Sequence, residues 1–343
     1  MKKILYTFGL FFLMACSSSQ NAYKEDKNTD YAAKFAETIT AENLKTHLYI
    51  FASDEFEGRN TGEPGQKKAI QYLKDFYVSQ GIASPLGGDN YYQEVPAEFL
   101  NKNSRGTTLK DSENVLAFIK GTEKPDEIVV ISAHLDHEGV KNGEIYNGAD
   151  DDGSGSMAIL EIAEAFKEAA KAGKGPKRSV LFLHVTGEEK GLLGSKYYTE
   201  NPIFPLENTV CDLNIDMIGR IDDAHKTDPN YIYLIGADKL STELHQVSES
   251  VNTKYTNINL DYTYNDENDP NRFYYRSDHY NFAKHNIPVI FYFNGTHEDY
   301  HKPSDTPDKI EYELLAKRTR LVFHTAWEIA NRETRLIVDK AGK

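Results

Sequence analysis

Ile128-Val129-Val130-Ile131-Ser132-Ala133-His134-Leu135-Asp136 is a β-branched, almost wholly apolar run that ends in an imidazole and a carboxylate. So short and apolar a run reads as a strand buried on both faces of a sheet. Outward from it, strands are expected over 115–119, 179–185, 210–217, 231–235 and 289–293. Helices are expected over about 155–170, 191–199, 239–251, 279–285 and 312–329, with the clearest helical spacing at Ile159, Ile162, Ala163 and Phe166. Strand followed by helix, repeated, is the pattern of a layered α/β domain with a mixed, largely parallel central sheet and helices on both faces. Two helices precede it. One opens at Thr40 and carries Leu44, His47, Leu48 and Phe51 on one face; the other covers 68–80, with Ile70, Leu73, Phe76 and Tyr77 as its stripe and Gly81 as its stop. No internal repeat is visible, and 343 residues suit one domain behind a short leader.

Sheets of this kind bind ligands in the loops beyond the carboxyl ends of their strands. The polar residues of interest sit there: His134 after 128–133, Glu188 and Glu189 after 179–185, and Asp216 near the end of 210–217. With Asp151 and His301 in turns, they make a set of five ligand-type residues, His134, Asp151, Glu189, Asp216 and His301, that can hold two zinc ions. Such a pair activates a water and polarises a carbonyl, so the chain reads as a hydrolase of peptide-like bonds. In His134-Leu135-Asp136 the two side chains share one side of an extended segment, and Asp136 is expected to hydrogen-bond the ring nitrogen of His134 that faces away from the metal. Asp150-Asp151-Asp152 lies in a Gly-flanked turn before a helix, where one acid can cap and another can bridge two cations. Of the neighbours Glu188 and Glu189, one can ligate while the other takes a proton from the activated water.

Five segments, in order, resemble the zinc aminopeptidase family M28, of the bacterial leucyl aminopeptidase type. They are Ser132-Ala133-His134-Leu135-Asp136, the run from Gly148 to Gly155, Gly187-Glu188-Glu189-Lys190-Gly191, Asn214-Ile215-Asp216-Met217, and His301-Lys302-Pro303-Ser304-Asp305-Thr306. The resemblance implies the three-layer zinc-dependent exopeptidase fold, two Zn²⁺ per chain and peptide substrates with a free N-terminus. By position it makes Asp151 the bridge, His134 and Asp216 the rest of one zinc site, and Glu189 and His301 the rest of the other. Glu188 becomes the general base and Asp136 the residue that orients His134. His301 is preferred to His297 because Asp305-Thr306 closes the loop after it, which leaves His297 as a neighbour of the site. Ser277-Asp278-His279-Tyr280 matches a further family segment. There Tyr274, with Tyr275 as competitor, is the expected pocket tyrosine, and Arg276 either contacts a substrate carboxylate or, the slightly favoured reading, pairs with a nearby acid. The link after the bridging acid, Asp151-Asp152, is one the family often strains. Glu57-Gly58-Arg59 reads as framework, and Asp266-Glu267-Asn268-Asp269-Pro270-Asn271 as a solvated turn without EF-hand spacing. The rivals are a carboxypeptidase or other amidohydrolase, a one-zinc glutaminyl cyclase on the same scaffold, and a binding protein without metals, which the complete ligand set disfavours.

Residues 1–15 read as a signal peptide: Lys2 and Lys3 precede an apolar stretch too short to span a bilayer permanently. Leu13-Met14-Ala15-Cys16 resembles a bacterial lipoprotein cleavage box, so Cys16 is the expected lipidation site. Residues 16–33 are then a polar tether and 34–343 the catalytic domain. The expected location is extracytoplasmic, on a bacterial membrane at the periplasmic or outer-membrane face, with the lipid as the only membrane contact. Cys211 is then the one remaining cysteine and reads as a buried structural thiol. A net charge of −14 argues against nucleic acid as partner and favours a cationic substrate group such as a free amino terminus.

Overall fold

The computed structural model describes Met1 and residues 29–104 and 108–341. Apart from Met1, the expected leader, Cys16 and the tether up to residue 28 lie outside the described residues. From Tyr31 onward the chain forms one unit, whose first helix opens slightly before the expected start at residue 34. Helices α1 (Tyr31–Ala36), α2 (Ala41–Phe51) and α3 (Pro64–Gln80) come first, followed by β1 (Tyr92–Val95), α4 (Ala97–Asn103), β2 (Ser112–Ile119) and β3 (Lys124–His134). A small hairpin, β4 (Gly139–Lys141) and β5 (Glu144–Tyr146), leads to α5 (Gly155–Lys171) and β6 (Arg178–Val185). Then come α6 (Leu193–Glu200), β7 (Thr209–Ile215), β8 (Tyr231–Ile235), α7 (Thr242–Tyr255), β9 (Asn259–Asp261), α8 (His279–Ala283), β10 (Val289–Phe293) and α9 (Tyr312–Asn331).

Local chemistry sets these boundaries. Thr40 caps α2 by accepting from the Asn43 N–H at 3.1 Å, and Ser241 caps α7 through the Leu244 N–H at 3.1 Å. Gly81 ends α3 at φ 64°, a left-handed turn that glycine adopts without a Cβ penalty. The main sheet runs β1-β2-β6-β3-β7-β10-β8-β9. Its centre, β6-β3-β7-β10, is parallel, while β1, β2 and β8 join antiparallel. Strand alternation divides β3 between the two faces: Val129 and Ile131 join the core under α5 and α9, and Ile128 and Val130 face α8. The expected strands all form. The missed ones, β1, β9 and the β4-β5 hairpin, are three or four residues long and carry too little periodicity to stand out. Cys211 is buried in β7 without a disulfide, and burial raises its thiol pKa, as expected for a structural thiol. Among the described residues, no helix is long and apolar enough to cross a membrane.

Candidate active site

Because β3, β6, β7 and β10 run parallel, their carboxyl ends open on one edge of the sheet. β3 ends at His134, β6 leads through Thr186 and Gly187 to Glu188 and Glu189, β7 leads straight into Asp216, and the loop after β10 carries His301. The turn between β5 and α5 adds Asp151. His134 Nε2 lies 3.1 Å from Asp151 Oδ1 and 3.6 Å from Asp216 Oδ1. His301 Nε2 lies 3.0 Å from Asp151 Oδ2 and 3.3 Å from Glu189 Oε2. All five expected ligands converge, and Asp151 stands between the two groups.

Their electrostatics are those of a site built for cations. Burial alone would raise Asp151, but His137, His134 and His301 hold its carboxyl well below the usual range. Burial and Asp151 act likewise on Glu189, and His137 and His301 hold it down. Burial opposes protonation of His301, yet Asp151 and Glu189 push its pKa up to about 10. Among the described residues, His137 Nδ1, Asp151 Oδ2 and Glu189 Oε1 are buried without a hydrogen-bond partner, and the three lie within 4.8 Å of one another. Imidazole and carboxylate donors left unpaired at that spacing fit zinc.

The frame around the ligands is backbone-bound. Asp152 accepts N–H groups from His134 at 3.2 Å, Gly155 at 2.9 Å and Met217 at 3.0 Å, so its oxygens tie three segments of the site together. A Cβ on Gly155 would lie 2.5 Å from those oxygens. Asp305 accepts from the Asp150 and Asp151 N–H groups at 3.0 and 3.2 Å. The Asp151-Asp152 peptide is cis. Arg59, in the segment read as framework, is fully buried and donates to the carbonyls of Phe51, Leu135, Asn147 and Gly148.

Asp136 works differently from expectation. The Nδ1–H of His134 donates to the main-chain carbonyl of Asp136 at 2.9 Å, whereas the Asp136 carboxylate stays 3.9 Å away. β3 ends at His134, so the chain leaves extended geometry and turns the carbonyl inward. The tautomer is still fixed, with Nε2 free for a metal. The carboxylate instead accepts from Thr61 Oγ1 at 2.7 Å and from the Glu188 N–H at 3.1 Å. Glu188 faces the same pocket as Asp151, Asp216 and His301. Desolvation pushes its carboxyl well above the usual range, with Glu189, Asp216 and Asp278 adding to the rise against His134.

Arg276 also lines this pocket. Among the described residues it forms no ion pair, contrary to the favoured reading; its guanidinium lies over the Phe273 ring at 4.7 Å and is solvent-exposed. Tyr274 is not part of the pocket wall. It packs against His279 and Tyr280, with Lys239 over its ring, because its short helical turn points it to the other side of the segment. The tyrosine at the ligands is Tyr300, stacked 3.9 Å from the His301 ring. His297 Nε2 lies 3.1 Å from Asp150 Oδ2, a neighbour of the site as expected. In the acidic stretch 266–271, Asp266 and Asp269 accept from local backbone N–H groups, as in a turn.

Three residues beside the expected ligands have no role assigned from the sequence. Ser277 donates to Asp216 Oδ2 at 2.7 Å and accepts from Asn214 Nδ2 at 2.8 Å. Tyr300 was hidden between the two competing histidines. His137 immediately follows His134-Leu135-Asp136, and its type and position were the available signal.

The family model "Peptidase family M28" matches residues 114–326. A protein of Arthroderma benhamiae described as a probable leucine aminopeptidase is 31% identical over 92% of this chain and 81% of its own. The crystal structure of the Legionella pneumophila LapA aminopeptidase superposes with a TM-score of 0.67 at 22% identity, covering 97% of this chain and 81% of that one. The Porphyromonas gingivalis glutaminyl cyclase shares the fold at a TM-score of 0.65 and 18% identity, covering 83% and 97%.

Proposed function

The chain belongs to peptidase family M28 and is a zinc-dependent hydrolase, and from that premise we propose that it is an aminopeptidase acting on free N-termini, with two zinc ions and Glu188 as general base. One observation carries this reading: Asp151 turns its two oxygens to two different imidazoles, each with a further carboxylate beside it. When bound, zinc supplies the positive charge that acidifies a water and polarises the scissile carbonyl. Glu188 takes the proton of the attacking water and returns it to the leaving amine. Asp136 serves this step by holding the Glu188 backbone. Met217, Phe273, Phe291 and Phe293 give the pocket an apolar wall suited to an apolar N-terminal side chain, and the acidic rim suits its ammonium group.

A second reading has its own support. The exposed guanidinium of Arg276 at the pocket, without an ion pair among the described residues, suits a substrate carboxylate, as in a carboxypeptidase or a peptidase of very short peptides. On location, the sequence Leu13-Met14-Ala15-Cys16 followed by a polar stretch supports a lipid anchor at Cys16 on a bacterial membrane.

The test is metal content measured together with turnover of free and N-acetylated peptides, for wild type and Glu188→Gln. Two zinc ions per chain, cleavage of free N-termini only, and loss of about 10²–10⁴-fold in Glu188→Gln with metal retained are expected. Release of C-terminal residues from blocked peptides would move the assignment to a carboxypeptidase. Cyclisation of N-terminal glutamine would move it to a cyclase, and near-normal turnover in the variant would remove Glu188 as base.

A further inference from the structure

His137 is fully buried at the foot of the site. Its Nδ1 lies 2.8 Å from Glu189 Oε1 and 3.7 Å from Asp151 Oδ2. The first separation is that of a hydrogen bond but the geometry is not: among the described residues, neither ring nitrogen and neither of those two oxygens has a hydrogen-bond partner. Unpaired buried polar atoms are costly, and a native interior seldom keeps three of them in contact without a further group to satisfy them. The room for this ring is built in. At Gly148, φ is 54° and a Cβ would lie 2.2 Å from the Asp151 carbonyl oxygen and 2.5 Å from the His137 ring, so only glycine leaves this space open. The His137 and His301 ring centres are 5.7 Å apart at an interplanar angle of 75°. Two imidazoles sharing one ion, with each nitrogen about 2 Å from it, bring their ring centres to roughly 5–6 Å.

We propose that His137, through Nδ1, is a fourth protein ligand of the ion held by Asp151, Glu189 and His301. The inference rests on the two-zinc reading above and makes the two positions unequal. His134, Asp151 and Asp216 offer three protein ligands and leave a place for water or substrate, the pattern of a catalytic zinc. The position with His137 has four protein ligands, the number that closes a structural site. It follows that the metal beside His301 anchors the site, and that the open coordination position belongs to the metal beside His134.

Proton NMR of the cobalt(II)-loaded full chain tests this, because each imidazole bound to the paramagnetic ion gives a strongly shifted, exchangeable ring N–H signal. Three such signals are expected in wild type, from His134, His137 and His301, and two in His137→Ala and His137→Gln. The same variants should bind one of the two ions at least about ten-fold more weakly in chelator competition. Two signals in a wild type that holds two ions, or three that persist in the variants, would overturn the role of His137 and leave the two-metal site standing. A wild type that binds no metal would instead overturn the two-metal reading itself. Should both variants fail to fold, the wild-type count decides by itself.

Discussion

Asp216 shows how single side chains tune this site. One oxygen faces His134 at 3.6 Å, and the other accepts the Ser277 hydroxyl at 2.7 Å. That hydroxyl holds one oxygen and leaves the other turned toward His134, in the way that partners behind ligands usually do. Ser277→Ala is therefore expected to weaken zinc binding by about 10–100-fold, read by chelator competition, in addition to the modest loss of metal-free stability from stripping the Asn214 amide of the hydroxyl it donates to. A fall in metal-free stability with unchanged affinity would make Ser277 a packing residue instead. Asp151 and Asp152 are adjacent yet have opposite duties. The first keeps its oxygens for imidazoles, and the second spends them on three backbone N–H groups.

At the scale of elements, Arg59 joins the segment after β3 to the acid turn before α5. Its guanidinium donates to Leu135 O on one side and to Asn147 O and Gly148 O on the other. Burial lowers its pKa to about 10, against the pull of Asp136, Asp151, Asp152 and Asp305, so it stays charged at neutral pH. Arg59→Met would leave those carbonyls unpaired and is expected to cost more than about 3 kcal/mol in denaturant unfolding. Arg59→Lys should recover little, because an ammonium group cannot fork to two segments at once.

The contact of α2 with α5 carries a pH dependence. Glu161 is buried in α5, and desolvation raises its pKa to about 8, partly offset by the Asn43 side chain. Its neighbour His47, 3.7 Å away, is lowered by burial and gives little countercharge. The folded pKa lies above the unfolded value, so the folded state binds the proton more tightly, and this stability is lost as pH rises from about 4.5 to about 8. Glu161→Gln is expected to raise the thermal midpoint at pH 8 and to leave it nearly unchanged at pH 4.5. An equal shift at both pH values would exclude this carboxyl as the source.

Across the whole molecule, the parallel centre of the sheet brings residues far apart in sequence, His134 to His301, to one edge, and metal binding should bind that edge together. A chelator is expected to lower the thermal midpoint by several degrees, and stoichiometric zinc to restore it, because ligand binding to the folded state adds directly to its stability. A midpoint indifferent to chelator would mean that the site is rigid without metal. For the proposed anchor, Cys16→Ser should move the protein from the membrane to the soluble fraction of a bacterial cell with its specific activity unchanged.

The alternation of apolar runs with helical stripes was enough to read the α/β class and the central strands, because strand and helix periodicities are local properties of the chain; their order in the sheet was not legible. Four of the five candidate ligands were legible for a related reason, His134, Glu189 and Asp216 at or just beyond recognisable strand ends and Asp151 in a glycine-flanked turn, whereas His301 was singled out from His297 only by the resemblance. What only tertiary structure decided was direction. Whether Asp136 offers His134 its carboxylate or its carbonyl, whether Tyr274 or Tyr300 faces the pocket, and that His137 turns to Glu189 and Asp151, all depend on how the chain bends after the last paired residue. Beyond that residue no repeating hydrogen-bond pattern fixes the backbone, and packing against distant segments chooses the side of each side chain.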